Sequence, residues 1–212
     1  IAWLMLLEHH NIGWNDYLHV AMFIFNIQSI LTFAVFVSYI WAREYEENMI
    51  EVVLCYPYPK YYYFLSKLVV MLFIILCTAL MFVFGSSIFG ALFFMKMIPL
   101  ATMFKLMKIL GLAVVMHFML LPFMFFVVMI TKHILSGIVL GVVCMVSSSV
   151  FVFTSYIQYI PFYIPMVLSD NMFGYDKAYL SSYSVPWYIL SITFVLSFIL
   201  CILDLRRKWE LR

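Results

Sequence analysis

Long apolar runs separated by short polar segments set the pattern of this chain. An α-helix rises about 1.5 Å per residue, so about 20 apolar residues cross the roughly 30 Å hydrocarbon core of a bilayer. Runs of that length predict five transmembrane spans, at about residues 20–41, 68–94, 109–130, 134–153 and 187–205. The second run is longer than a bilayer requires, which predicts either a tilted helix or a broken turn near Gly85 and Gly90.

Composition restricts the class of protein. The chain of 212 residues is 67% hydrophobic and only 10% charged, whereas soluble domains contain about 25% charged residues. A chain of this size could not bury so much apolar surface in a core of its own. The fold class is therefore an all-α polytopic membrane protein, with one transmembrane domain that covers residues 1–212.

Charge is concentrated between the first two spans. Read as a helix over about residues 43–56, this segment places Glu44, Glu47 and Glu51 on one face and apolar side chains on the other, until Pro57 ends it. An anionic membrane surface would repel such a face. The pattern favours an amphipathic helix that docks on another protein, and a solvated helix resting on the membrane surface is the alternative.

The connector before the last span is aromatic, unlike the charged segment between the first two spans. Residues 154–186 are rich in aromatic side chains and are interrupted by Pro161 and Pro165. Aromatic residues favour the bilayer interface, and proline breaks long helices. We expect short helices there that dip back at the outer interface.

The basic residues predict the orientation of the chain, because lysine and arginine concentrate on the cytoplasmic side of membrane proteins. A cytoplasmic C-terminus places eight of the twelve basic residues inside and four outside. Five spans then leave Ile1 outside. Because no signal peptide precedes it, we expect an upstream span that is missing from this chain and six spans in the intact protein.

A few polar or small residues lie inside the predicted spans. Asn26, Ser29 and Thr32 share one face of the first span, which should turn toward another helix or toward a water-filled path. Gly137 and Gly141 have the small-xxx-small spacing of closely packed helices. The imidazole of His117 could relay protons, but its span contains no acidic residue, which favours a packed, neutral histidine.

No motif predicts a metal, a cofactor or nucleic acid. His9, His10 and His19 lack an HExxH pattern or a cysteine partner, so an interfacial loop is favoured over a metal site. The four cysteines show no CxxC spacing. The net charge is only +2, and the basic residues lie at the ends of spans rather than in a patch.

The segment that follows the first span resembles the membrane subunits of type-2 ABC exporters. In that family the helix reads R-E-x-E-x-G-T-[IL]-E-x-L-L-x-x-P, and Asn48-Met49 stand here in place of Gly-Thr. The matching residues are Ala42-Arg43-Glu44, the run ENMIEVVL over residues 47–54, Tyr56-Pro57-Tyr58-Pro59-Lys60 and Ser66-Lys67. A small chain without a large outer domain is similar to the branch that exports or clears antimicrobial peptides such as lantibiotics and bacitracin.

This resemblance implies a permease domain whose acidic inner helix, the coupling helix of the family, sits in a cleft of a separate ATPase subunit. The residues implied in coupling are Arg43, Glu44, Glu46, Glu47, Glu51, Tyr56 and Pro57. Two permease subunits, identical or different, would enclose a substrate path. The residues implied to face that path are Asn26, Ser29, Thr32, Ser147 and Ser148.

The function that the resemblance implies is ATP-driven export of an amphipathic peptide or lipid-like substrate across the plasma membrane of a bacterium. The chain has no GxxxxGK[ST] phosphate loop, so ATP and Mg would bind the partner ATPase and this chain would not be an enzyme. A channel or a non-enzymatic membrane scaffold is the alternative, since either needs only polar helix faces. An intramembrane protease would need catalytic motifs that the sequence lacks.

Overall fold

Six α-helices and one 3₁₀ turn follow one another along the described chain. The computed structural model describes residues 13–47, 49, 60–151, 154, 158–175 and 184–210. The helices are α1 (Trp14–Glu46), α2 (Lys60–Phe94), α3 (Leu100–Thr131), α4 (Ile134–Phe151), the 3₁₀ turn Pro161–Tyr163, α5 (Ile164–Phe173) and α6 (Ser184–Glu210). These ranges contain no β-strand, which confirms the all-α class.

Four of these helices, namely α1, α2, α3 and α6, are long and apolar enough to cross a membrane. They confirm that the protein is a polytopic membrane protein. The fourth predicted span corresponds to α4, which is apolar but has only 18 residues and is therefore about 27 Å long. Among the described residues, the five spans expected from the sequence are thus four long helices and this shorter one.

The long helices extend beyond their apolar runs, α1, α3 and α6 at both ends and α2 at its N-terminal end. α1 continues through Glu46, so the predicted helix boundary at Arg43 is wrong, because residues 43–46 form the last turn of α1. α2 begins at Lys60 and runs unbroken past Gly85, so the broken turn expected there is also wrong. Hydropathy marks where a helix meets lipid, whereas capping and turn residues decide where it ends.

Helix α1 packs against α2, α3, α4 and α5. Toward its C-terminal end, the buried ring of Trp41 meets Phe64 of α2 and Phe125 of α3, with ring centroids 6.2 and 5.8 Å apart. Toward its N-terminal end, Leu18 belongs to a second apolar cluster that includes Val83 of α2. α1 therefore joins the two halves of the core.

The two ends of the bundle differ in chemistry. The acidic end is where Glu46 of α1 meets Ile134, the first residue of α4, through a hydrogen bond. The hairpin end is the opposite one, where Trp14 of α1 packs against Phe94 of α2 at a centroid distance of 4.9 Å. The hairpin itself, residues 158–175, contains the 3₁₀ turn and α5, and its side chains from 163 to 170 are buried. The short helices of the last connector thus pack against the other helices, and their location at the outer interface stays a prediction.

Two glycines allow α4 to approach α1 closely. A Cβ atom on Gly137 would lie 1.9 Å from the Ser38 hydroxyl oxygen, and one on Gly141 would lie 2.7 Å from the Ala34 Cβ and 3.3 Å from the Leu31 Cα. The Leu31 Cα is a backbone atom, so no side-chain rotation can relieve the contact with it. Their spacing of four residues places both glycines on the same face of α4.

We predict that Gly141→Ala destabilises the protein, whereas Gly111→Ala does not. The added methyl at position 141 forces α1 and α4 apart, and such overpacking costs about 1–3 kcal/mol. Nothing lies within 4 Å of a Cβ on Gly111 of α3, where alanine instead gains helix propensity. Unfolding in a series of mixed micelles with increasing denaturing detergent measures both variants, and equal stability of the two would contradict the close approach.

Candidate functional site

A lysine near the start of α2 ties that helix to the acidic end of α1. Lys67 is only 6% exposed, and its ammonium donates to the Glu44 carboxylate and, at 2.8 Å, to the Ile40 carbonyl oxygen. It also lies 4.2 Å from the Trp41 ring centroid and 4.6 Å from that of Tyr63. A buried ammonium needs such a complete set of partners, because burial removes its hydration.

Glu46 connects α1 to α4. Its Oε1 accepts a hydrogen bond from the backbone N–H of Ile134 at 3.2 Å and lies 4.0 Å from Nδ1 of His133. The first N–H groups of a helix have no partner within the helix, and the positive end of the helix dipole attracts a carboxylate. Glu46 therefore caps a helix that begins 88 residues further along the chain.

Glu47 has a partner on its own helix. Nε of Arg43 lies 2.6 Å from Oε1 of Glu47, and the same guanidinium donates to the Tyr39 hydroxyl. Both members of the Arg43–Glu47 pair are exposed, so solvent screens their attraction and the pair adds little to stability.

The described coupling residues are thus engaged within this chain. Glu44, Glu46 and Glu47 point at α2, α4 and Arg43 respectively. Glu51, Tyr56 and Pro57 lie outside the described residues. The acidic end is therefore a junction of three helices. The sequence analysis did not identify Lys67 as the partner of Glu44. Its position between an aromatic cluster and a long apolar run indicates a buried lysine, which needs an acidic partner.

Two of the residues implied to face a path are buried in contacts between helices. Asn26 is 2% exposed, and its Nδ2 donates to the Ser169 hydroxyl of α5 at 3.2 Å. The Ser29 hydroxyl lies 2.6 Å from Nε2 of His117 on α3 and 2.9 Å from the Asn26 carbonyl oxygen. A carbonyl oxygen can only accept, so Nδ1 of His117 donates to that of Ala113 at 2.7 Å, and Nε2 is the ring atom that meets Ser29.

The other implied path residues have different surroundings. The Ser147 hydroxyl on α4 receives a hydrogen bond from the Tyr163 hydroxyl, and the buried Ser148 donates to the Cys144 carbonyl at 2.6 Å. Thr32 donates to the Gln28 carbonyl at 3.0 Å and lies at the edge of the exposed side of α1. The five residues therefore do not form one surface, and of the five Thr32 lies nearest the exposed side of α1.

A pair of ionisable side chains fastens the hairpin to α1. Nε2 of His19 lies 3.0 Å from Oδ1 of Asp170, a carboxylate that is only 2% exposed. The imidazole also stacks on the ring of Tyr175 at a centroid distance of 4.0 Å. The Tyr175 hydroxyl in turn donates to Asp16. Burial, followed by the hydrogen bond to Asp16 and the charge of that carboxylate, raises the pKa of Tyr175 to about 12, so its phenol stays a neutral donor at physiological pH.

One side of α1 is exposed and carries both polar and apolar side chains. Gln28, Tyr39 and Arg43 are exposed there, and Thr32 is partly so; these four are the polar stripe. The exposed apolar side chains beside the stripe are Ile24, Val35 and Phe36. By contrast, the exposed side chains of α2 from residue 69 to residue 84 are all apolar apart from the Cys77 thiol. Lipid tails suit the α2 face, whereas the polar stripe on α1 suits protein or water.

Metal ligation finds no support within the described ranges. No three His, Cys, Asp or Glu side chains there lie close enough to hold an ion. His9 and His10 lie outside the described residues, and His19 is paired with Asp170.

We predict strong coupling between His19 and Asp170. His19→Phe keeps the ring stacking but leaves a buried carboxylate without its imidazole, which should cost about 3–5 kcal/mol. His19→Phe combined with Asp170→Leu removes the charge as well and should be more stable than His19→Phe alone. A double-mutant cycle on the free energy of unfolding in micelles measures the difference, and additive losses would show that the two side chains do not interact.

Comparison with known proteins places this arrangement in a family. A family model described as "ABC-2 family transporter protein" matches residues 1–148. No curated protein and no solved structure matches the chain. The matched range includes α1, α2, α3 and the junction at the acidic end, and family membership implies a transport subunit that associates with an ABC ATPase. The chain therefore belongs to the ABC-2 family of transporter proteins, as a membrane permease component of an ABC transporter.

Proposed function

We propose that this permease exports an amphipathic substrate, a peptide or a lipid-like molecule, and that a separate ATPase drives it by pushing on residues 47–59. The observation that carries the proposal is the junction at the acidic end. There the chain leaves α1 at Glu47 and returns at Lys60, between two helices that Glu44 and Lys67 bind together.

This junction explains how a push on a short segment would move whole spans. α1 and α2 flank the segment, and the buried Lys67 holds their ends together. α4 is attached to the same end through Glu46. A displacement of residues 47–59 would therefore tilt three helices together, as rigid elements joined at one point.

The substrate path, in this proposal, runs along the polar stripe of α1, which consists of Gln28, Thr32, Tyr39 and Arg43. A second permease subunit, identical or different, would face this stripe and close the path. The other residues implied to face the path would instead hold the hairpin, α3 and α4 in place beside the stripe. They are Asn26, Ser29, Ser147 and Ser148. Alternating tyrosine, amide and apolar side chains such as Val35 and Phe36 suit a substrate with both polar and apolar parts.

The orientation follows from the same assignment. The acidic end would face the cytoplasm, where the ATPase binds ATP and Mg, and the hairpin end would face outward. The hairpin, attached by His19–Asp170 and Asn26–Ser169, would then cover the outer end of the bundle, and the direction of transport would be export from a bacterial cell.

We predict that Glu51→Lys combined with Tyr56→Ala lowers recovery of the ATPase at least tenfold when the tagged permease is purified in mild detergent. A tenfold loss corresponds to about 1.4 kcal/mol of binding free energy. These positions lie in the proposed docking segment, whereas Glu44 and Glu46 are left unchanged because they hold α2 and α4. Lys108→Glu, an exposed charge reversal near the hairpin end, is the matched control.

The outcome separates the two functional classes. A stoichiometric nucleotide-binding partner with the natural sequence and with Lys108→Glu, but not with the double variant, supports the proposal. Stimulation of its ATPase activity by amphipathic peptides or by lipids then identifies the substrate. No such partner with the natural sequence would overturn the transporter assignment and favour a channel or a scaffold.

A further inference from the structure

The turn between α2 and α3, at the hairpin end, exposes large apolar side chains. Met95 and Met97 of this turn are 86% and 90% exposed, and exposed apolar side chains continue along α2 up to Phe93. Such a cluster is unfavourable in water, so it indicates that lipid or protein covers it. Because the apolar surface is continuous with the lipid-facing side of α2, lipid is the cover that fits. The turn therefore lies at the bilayer interface.

Two lysines project from this apolar surface. Lys96 is exposed in the turn itself, between the two methionines, and Lys108 is exposed on α3. Lys108 lies one helical turn beyond the exposed Phe104, on the same side of the helix. Lys105 differs from both, because its ammonium donates to the Phe173 carbonyl of the hairpin at 3.2 Å. Lys96 and Lys108 are therefore the cations that face the bilayer here.

The direction of α3 carries the Lys108 ammonium toward the headgroups. α3 begins at the hairpin end with Leu100, and residue 108 lies about 12 Å further along the helix. A charge at that depth is costly among acyl chains. Side chains tilt toward the N-terminus of their helix, so the stem of Lys108 leads back past Phe104 toward the interface. Both ammonium groups can thus reach the layer of lipid phosphates.

The acidic side chains described at this end are engaged elsewhere. The sequence contains no aspartate or glutamate between Glu51 and Asp170. Asp170 is paired with His19, and Asp16 accepts a hydrogen bond from Tyr175. Within the described part of the chain, the charges of the two lysines are therefore not compensated by the protein, and the surface suits an anionic partner.

We propose that Lys96 and Lys108 bind the phosphate of an anionic phospholipid in the leaflet at the hairpin end. The two ammonium groups attract the headgroup, and the exposed Phe104 and Met107 contact its acyl chains. A zwitterionic lipid carries a cation of its own that opposes the lysines. The site therefore prefers phosphatidylglycerol to phosphatidylcholine. This inference does not depend on the proposed function, because it concerns neither the substrate nor the ATPase.

The test measures which lipid lies beside the two lysines. A photo-crosslinking amino acid replaces Phe104 in the full chain, in nanodiscs that contain equal amounts of phosphatidylglycerol and phosphatidylcholine with matched acyl chains. Mass spectrometry of the adducts gives the ratio of the two lipids at this position. Phosphatidylglycerol should exceed phosphatidylcholine at least about fivefold, as expected for attraction by two lysines. The same group in place of Ile192, exposed in an apolar stretch of α6, should report about equal amounts.

Two charge variants distinguish attraction of the headgroup from a structural role of the lysines. Lys96→Gln combined with Lys108→Gln should abolish the enrichment at position 104. Lys96→Arg combined with Lys108→Arg should keep it, because arginine retains the charge.

Equal amounts of the two lipids at position 104 with the natural lysines would overturn the site, and so would an enrichment that survives in the glutamine variant. If the glutamine variant does not fold, the ratios at positions 104 and 192 with the natural lysines decide. Each of these measurements is made without the ATPase, so a failure of this site leaves the proposed function standing.

Discussion

A polar side chain inside a bilayer needs a hydrogen-bond partner, and several polar side chains of α1 find theirs on other helices. Lipid offers no hydrogen bonds, so a buried amide, hydroxyl or carboxylate is stable only against another polar group. Asn26 and Ser29 point from α1 at α5 and α3, and Glu46 reaches α4. These contacts fix the rotation of α1 about its axis, and the rotation decides which of its side chains remain exposed.

The two ends of α1 satisfy their buried polar side chains with different partners. At the hairpin end, the buried Asp170 meets His19, and Tyr175 bridges to Asp16, so a segment far along the chain is held by specific pairs rather than by apolar packing alone. At the acidic end, Lys67 lies under two aromatic rings and bonds to Glu44. Removing one member of a buried pair leaves an uncompensated charge, so each end is positioned by contacts that allow few alternatives.

The sequence alone predicts the parts of this fold that depend on local pattern. Apolar runs locate α1, α2, α3, α4 and α6 within the part of the chain that the structure describes, and the spacing of Gly137 and Gly141 identifies the face on which α4 meets α1. The ends of helices were harder, because α1 continues through Glu46 on polar residues that hydropathy excludes. The pairs of the candidate site were out of reach, since His19 and Asp170 are 151 residues apart and neither lies in a motif. The sequence predicts a loop at His19, which in fact lies in α1, and a lone histidine and a lone aspartate in an aromatic connector carry no sign of each other.

The described glutamates of the acidic end have partners within this chain. The sequence pattern predicts an acidic helical face that binds another protein. In the structure, Glu44 contacts α2, Glu46 contacts α4 and Glu47 contacts Arg43 of its own helix. The end of α1 is therefore a junction of three helices. In the proposed function, a force applied just beyond Glu47 would reach α2 through a buried ammonium and α4 through a helix cap. That coupling would convert a local contact into a movement of the helix that carries the polar stripe together with its two neighbours.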